Sequence, residues 1–108
     1  GRMRGWGAVK LSEWTPREGL YEQSSEQVWS AAGEAVKQAL TSSSVSAESV
    51  AGIAFDATCS MVLIDAEDKP VTVSESGDDS CNIIEWRDHR AADQARRINA
   101  GGHEALKY

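Results

Sequence analysis

The run Val50-Ala-Gly-Ile-Ala-Phe-Asp56 carries no polar side chain before its last residue. A strand solvated on one face would alternate polar with apolar residues. An unbroken apolar run therefore predicts a strand covered on both faces, as in the sheet of an α/β fold. Five small or polar residues end the run: Asp56, Ala57, Thr58, Cys59 and Ser60. In α/β sheets ligands collect beyond the carboxyl ends of the strands, and this loop falls there.

The remaining segments supply the layers such a strand needs. "MRGWGAVKL" (3–11) reads as a strand weakened by two glycines, and "SEWTPREG" (12–19) as a loop, after which a long helix begins. Ser24 followed three residues later by Gln27 predicts a capping box, in which the Gln27 N–H donates to the Ser24 hydroxyl and the Gln27 amide returns to the Ser24 N–H. The helix should start near Ser25 and bury a stripe of Val28, Ala32, Ala35, Val36 and Ala39, with a Ser-rich connection at 41–49. "MVLID" (61–65) and "PVTVS" (70–74) flank a tight turn and predict a hairpin, and "NIIEW" (82–86) a further strand. From Arg87 onward a helix with Ala91, Ala95 and Ile98 on one face is expected, broken at Gly101-Gly102. Together these make an α/β domain with a mixed sheet and flanking helices.

Charge and cysteine usage exclude several functions. Among 108 residues, 17 Asp and Glu stand against 11 Lys and Arg, a net charge of −6 with no basic run, so nucleic acid is not an expected partner. No apolar stretch is long enough for a membrane span and no leader pattern precedes a cleavage site, so a soluble cytoplasmic protein is expected. Cys59 and Cys81 lie 22 residues apart, with neither zinc-ligand nor disulfide-scaffold spacing, and are expected to be reduced. The chain begins with Gly and stops at "ALKY" within a helix-like pattern, so it is expected to be an excerpt of a longer protein.

Two constellations carry chemistry. The first is Asp56 to Ser60. A phosphate-cradling turn would need glycine, so that backbone amides could approach the anion, and Ala57 stands in that place. Short donors and acceptors suit a small polyhydroxy ligand better than a nucleotide; the alternative is that Asp56 and Thr58 simply bond their own turn. The second is "EWRDHR" (85–90), where Trp86 offers an apolar wall and Asp88, His89 and Arg90 offer convergent polar groups. Here the alternative is an Asp88 helix cap with a structural Asp–Arg pair. Cys59 with His89 or His103 has nothing to orient the imidazole, so no thiol hydrolase is proposed, and Gly77-Asp78-Asp79 reads as a solvated turn rather than a metal site.

These two elements, with "EQSSEQVW" (22–29), "GIAFDATCSMVLID" (52–65), "SGDDSCNIIEWRDHRA" (76–91) and "RINAGGHEALKY" (97–108), resemble the amino-terminal domain of the FGGY family of carbohydrate kinases, in its ribulokinase-like branch. The resemblance implies a partial ribonuclease H-like domain of the actin-like ATPase superfamily, spanning residues 1–108 and lacking the first strands and the whole C-terminal ATP-binding domain. It implies transfer of the ATP γ-phosphate to a ketopentose or polyol, D-ribulose foremost. Asp56, Thr58, Cys59 and Ser60 would line the sugar pocket, and Trp86, Asp88, His89 and Arg90 would border it. ATP and Mg²⁺ would serve the full-length enzyme and bind elsewhere; the catalytic base and phosphate turn would fall outside this chain, which should not catalyse alone. A non-catalytic sugar-binding module on the same half-domain is the other reading, since fold does not decide function. Unpaired apolar edges would favour homo-oligomers of the isolated chain, while a native pocket should shield Trp29 and Trp86 from water.

Overall fold

The computed structural model describes residues 1–107; Tyr108, the last residue of the resembling stretch, lies outside the described residues. Strand β1 (Glu22–Gln23) leads into helix α1 (Ser25–Ser43), followed by strands β2 (Met61–Val62) and β3 (Ile83–Ile84) and helix α2 (Ala92–Ala100). Short 3-10 turns occur at Ala47–Ser49 and Glu104–Lys107. The sheet order is β1-β3-β2. Glu22 pairs with Ile84, and Met61 also pairs with Ile84, so β3 is the centre. Among the described residues both pairings are antiparallel. The mixed sheet expected from the sequence would need a parallel partner for 50–56, and that segment forms no strand.

Helix α1 starts where its cap places it. The Gln27 N–H donates to the Ser24 hydroxyl at 3.3 Å. The expected reciprocal bond is replaced: Gln27 Oε1 accepts the Ser12 N–H at 2.6 Å, tying the preceding loop to the first turn. The helix runs past Leu40, and there Thr41 and Ser43 return their hydroxyls to the carbonyls of Lys37 and Leu40, at 3.0 and 2.9 Å. It ends at Ser44, whose φ of 55° is left-handed. None of its residues is fully buried: in the expected stripe Ala32, Ala35 and Ala39 are half-buried, while Val28 and Val36 are exposed.

Segment 3–11 lies along α1 without joining a sheet. Its amides reach the helix's side chains: Trp6 N–H donates to Ser42 Oγ and Ala8 N–H to Gln38 Oε1. Gly5 and Gly7, which weakened the strand reading, have a packing reason. A Cβ on Gly5 would stand 2.7 Å from Ser43 Cβ, and one on Gly7 2.7 Å from Gln38 Cβ, so only glycine permits this approach.

The predicted hairpin is present in outline. Asp65 N–H donates to Lys69 O at 2.8 Å and Val71 N–H to Leu63 O at 3.2 Å. The Asp65 carboxylate accepts the Glu67 and Lys69 amides, and Asp68 takes a φ of 60° at the turn. The C-terminal helix begins at Ala92, later than expected, and ends at Gly101 as the glycine pair predicts, with Ile98 exposed. No helix among the described residues is long and apolar enough to cross a membrane.

Among the described residues Leu20, Cys81 and Ile83 are the buried apolar ones, joined by buried Glu22, Ser24, Asn82 and Glu85. The chain is open: its radius of gyration is 18.7 Å, against about 13 Å for a compact chain of this length. The uncovered surface includes Ile53 and Phe55, at 68% and 76% exposure. The run that should be doubly covered is thus uncovered, because strand formation needs a neighbouring ladder and no described residue supplies one. Trp29 and Trp86 are likewise exposed, at 74% and 64%, contrary to the expected shielding.

Candidate functional site

A buried, hydrogen-bonded polar cluster is built by β1, the 70–74 arm and the segment after β3. Residues 20–24 alternate as a strand should: Leu20, Glu22 and Ser24 are buried while Tyr21 and Gln23 are half-buried. The alternation turns Glu22 inward, where its side chain is 0% exposed. Two backbone bonds dock the 85–90 segment on this stretch, Glu85 N–H to Tyr21 O at 3.0 Å and His89 N–H to Gly19 O at 2.8 Å. Gly19 has a φ of 81°, a conformation that favours glycine there.

Arg90 sits at the centre. Its Nε donates to Asp88 Oδ1 at 2.9 Å, its Nη2 to Asp88 Oδ2 and Glu22 Oε1 at 2.9 Å each, and its Nη1 to Val73 O at 2.7 Å. Four of the five guanidinium N–H groups are therefore committed, leaving one on Nη1. Asp88 also accepts the Tyr21 and Arg90 amides at 2.8 Å each. The Asp–Arg pair is thus real, but Asp88 caps no helix: α2 begins after Ala91 with no side-chain cap.

Burial pushes the Asp88 carboxyl up, but the hydrogen bonds from Arg90 and from the Tyr21 amide, together with the Arg90 charge, outweigh it and hold the pKa at about 2. A depressed carboxyl stabilises the fold above its ordinary pKa of 3.8 and loses that contribution as pH falls toward 2. We expect an NMR titration of the Asp88 side chain to show no protonation at pH 4 and a midpoint near 2; a midpoint at or above 3.8 would contradict the network. The neighbouring Glu85 behaves oppositely, raised by burial and then by the Asp88 charge, although Arg87 Nε reaches its Oε2 at 2.9 Å. Arg87 also lies over the Tyr21 ring, 4.1 Å from its centroid, and pairs with Glu13.

Asn82, also 0% exposed, is fully engaged. Its Oδ1 accepts the Ser25 N–H and its Nδ2 donates to Ser25 Oγ and Leu63 O, all at 2.9 Å. It joins β3 to the start of α1 and to the chain just after β2. The acidic loop is a knit turn: Asp78 accepts the Ser80 amide and hydroxyl, and Asp79 accepts the Thr72 amide.

The residues singled out from the sequence fall in two places. Asp56, Thr58 and Cys59 are exposed and Ser60 half-buried; the loop's one internal bond is Ser60 N–H to Thr58 O at 2.9 Å. Trp86 and His89 are exposed, whereas the carboxylate of Asp88 is buried and Arg90 is partly so. No hydrogen bond among the described residues joins the 56–60 loop to the 86–90 segment. An open apolar groove of ≈ 780 Å³ lies elsewhere, along α1, lined by Val9, Trp29, Val36, Ile53 and Phe55 among others. Sequence reasoning missed Glu22 and Asn82. The signal for Glu22 was the alternation of Leu20, Glu22 and Ser24, hidden because two of the three inward residues are polar.

Among the described residues no three His, Cys, Asp or Glu side chains gather where they could hold a metal ion. Both cysteines are free, Cys59 exposed and Cys81 buried. With this geometry in view, comparison with known proteins is specific. The N-terminal domain of the FGGY family of carbohydrate kinases matches residues 1–107. An FGGY carbohydrate kinase domain-containing protein of Xenopus laevis is 40% identical over 95 residues, covering 88% of this chain and 17% of the relative. The human protein of the same name is 38% identical over 98 residues, covering 91% of this chain and 17% of the relative. A D-ribulokinase of Saccharomyces cerevisiae is 42% identical over 89 residues, covering 80% of this chain and 12% of the relative. The chain thus spans less than a fifth of the length of these curated relatives. Both loops and the buried cluster fall within the stretch that the family's N-terminal domain matches, and the chain belongs to the FGGY family of carbohydrate kinases.

Proposed function

We propose that this chain is part of the amino-terminal domain of an ATP-dependent kinase whose full-length form phosphorylates a ketopentose or related polyol, with D-ribulose the preferred sugar. The observation that carries the reading is the 42% identity, over 89 residues, to a protein named D-ribulokinase. In this reading Asp56, Thr58, Cys59 and Ser60 line the sugar, and their exposure leaves them free to meet it. Trp86 and His89 reach toward the sugar from the second segment, while Asp88, saturated by Arg90 and two backbone amides, sets the position of that border. Segments 3–11 and 50–56 become strands of a larger ribonuclease H-like mixed sheet once their partners are present. Two free thiols suit a reducing compartment, and we place the enzyme in the cytoplasm.

Kinases of this kind use ATP with a divalent metal, which neutralises the transferring phosphoryl group. The residues described here do not fit either group. They offer no acidic cluster for the metal, and Ala57 occupies the place where a phosphate turn requires glycine. Their part is to bind and orient the sugar hydroxyls.

The test is a substitution in the full-length enzyme. Cys59→Leu puts a branched side chain beside the sugar and should raise KM for the ketopentose by about tenfold or more, with KM for ATP changed by less than about twofold. A larger change in KM for ATP would make the loop a nucleotide site and overturn the reading.

A further inference from the structure

We propose that residues 50–56 form an interface between copies of this chain, pairing antiparallel with the same segment of a second copy about a two-fold axis at Ile53. The inference concerns the 108 residues and is independent of the sugar-pocket reading. Among the described residues, 51–57 make no backbone hydrogen bond, and the Val50 N–H goes to Ala47 O at 3.1 Å. Val50, Ile53 and Phe55 are all exposed. The segment therefore has both features that strand addition uses, free backbone donors and acceptors and apolar side chains without cover. Ile53 and Phe55 also line the groove along α1 with Val9, Trp29 and Val36, so a strand laid beside them has further apolar surface to cover. Gly52 fits the same use. A Cβ there would meet nothing within 4 Å and its φ is not positive, so neither this chain's packing nor its backbone requires glycine. A glycine inside such a run marks a place where another backbone can approach closely.

A second copy is the occupant that fits because the run complements itself when reversed. With Ile53 opposite Ile53, Gly52 stands opposite Ala54, Ala51 opposite Phe55 and Val50 opposite Asp56, so the large Phe55 ring is set against a small residue on both sides of the axis. The two Asp56 carboxylates then lie about 20 Å apart at opposite ends of the paired strands, beyond the screening length of about 8 Å at physiological salt. Parallel pairing in register would put them on neighbouring strands about 5 Å apart, where like charges destabilise a pair. In a chain of net charge −6 that difference decides the orientation. The surface is sufficient. The chain exposes 8619 Å², about 2700 Å² more than a compact monomer of its mass, and a standard interface buries roughly 1200–2000 Å².

Sedimentation velocity over a concentration series, on the 108-residue chain and two matched variants, tests the surface. Ile53→Lys puts two ammonium groups opposite each other at the axis and should raise the concentration of half-association by about tenfold or more. Ile98→Lys makes the same change of charge at an exposed apolar residue of α2 and should shift it by less than about twofold. Equal shifts, or an unsubstituted chain that stays monomeric at micromolar concentration and so leaves this edge to other occupants, would overturn the inference. Cross-linking under oxidised glutathione tests the orientation, with Ile53→Cys in a Cys59→Ser background measured beside the unsubstituted chain. In the antiparallel register the introduced thiols face each other within disulfide reach and should give a covalent dimer. The Cys59 thiols of the unsubstituted chain lie beyond opposite ends of the pair and should not cross-link. In a parallel pair they would be neighbours and would cross-link as readily as those at position 53. Covalent dimer from the unsubstituted chain at the variant's rate, or from neither chain, would overturn the inference.

Discussion

Arg90→Ala in the full-length protein is expected to lower folding stability by about 3–5 kcal/mol, the effect of removing one partner from a buried ion pair. The side chains of Glu22 and Asp88 are 0% and 1% exposed, and Arg90 is the cation that both of them bond. Without it, two buried carboxylates would lose the cation they share and the Val73 carbonyl would lose its donor. Such a change should appear in chemical denaturation as a lower midpoint at unchanged slope, or as loss of soluble protein. Arg90→Lys should be milder, since an ammonium keeps the charge but cannot span both carboxylates and a carbonyl in one plane. An Arg90→Ala variant within about 0.5 kcal/mol of the parent, the range of ordinary surface substitutions, would show that the network contributes little.

The second large effect concerns the 108 residues by themselves. Their accessible surface is 8619 Å², against about 5900 Å² for a compact monomer of this mass. The excess is apolar in part: Trp6, Ile53 and Phe55 are all more than two-thirds exposed. Extended segments with unpaired backbone and uncovered apolar side chains template association. The isolated chain should therefore self-associate at micromolar concentration and melt broadly, with tryptophan emission already red-shifted before heating. Sedimentation velocity with fluorescence-detected melting checks this. A monomer that unfolds in one steep transition, losing blue-shifted emission in the same step, would show an autonomous domain.

What the sequence revealed and what it hid divide by the range of the interactions involved. The Ser24 cap depends on an amide three residues away, and the turn at 65–69 on the reach of one Asp65 carboxylate, so both could be read locally. β3 was recognisable as a short run around Ile83 and Ile84. The segments 3–11 and 50–56 carry strand-like patterns, but a strand is completed by a neighbour, and patterning does not supply one. β1 was missed because its inward residues include Glu22, and an acid reads as exposed until its partner is known. That partner is 68 residues away. The same distance hid the fact that Asp88 and Arg90, singled out as ligand groups by type and spacing, also hold the fold together.

We propose that this chain supplies sugar-binding residues to a ketopentose kinase and none of the phosphoryl-transfer machinery. The most direct measurement is ADP release in a coupled assay, run on the full-length protein and on the isolated chain with D-ribulose, L-ribulose, xylulose and ribitol. The account predicts sugar-dependent ADP release from the full-length protein, fastest with D-ribulose, and none above background from the isolated chain. Phosphorylation by the isolated chain, or a full-length protein that turns over none of these sugars, would contradict it.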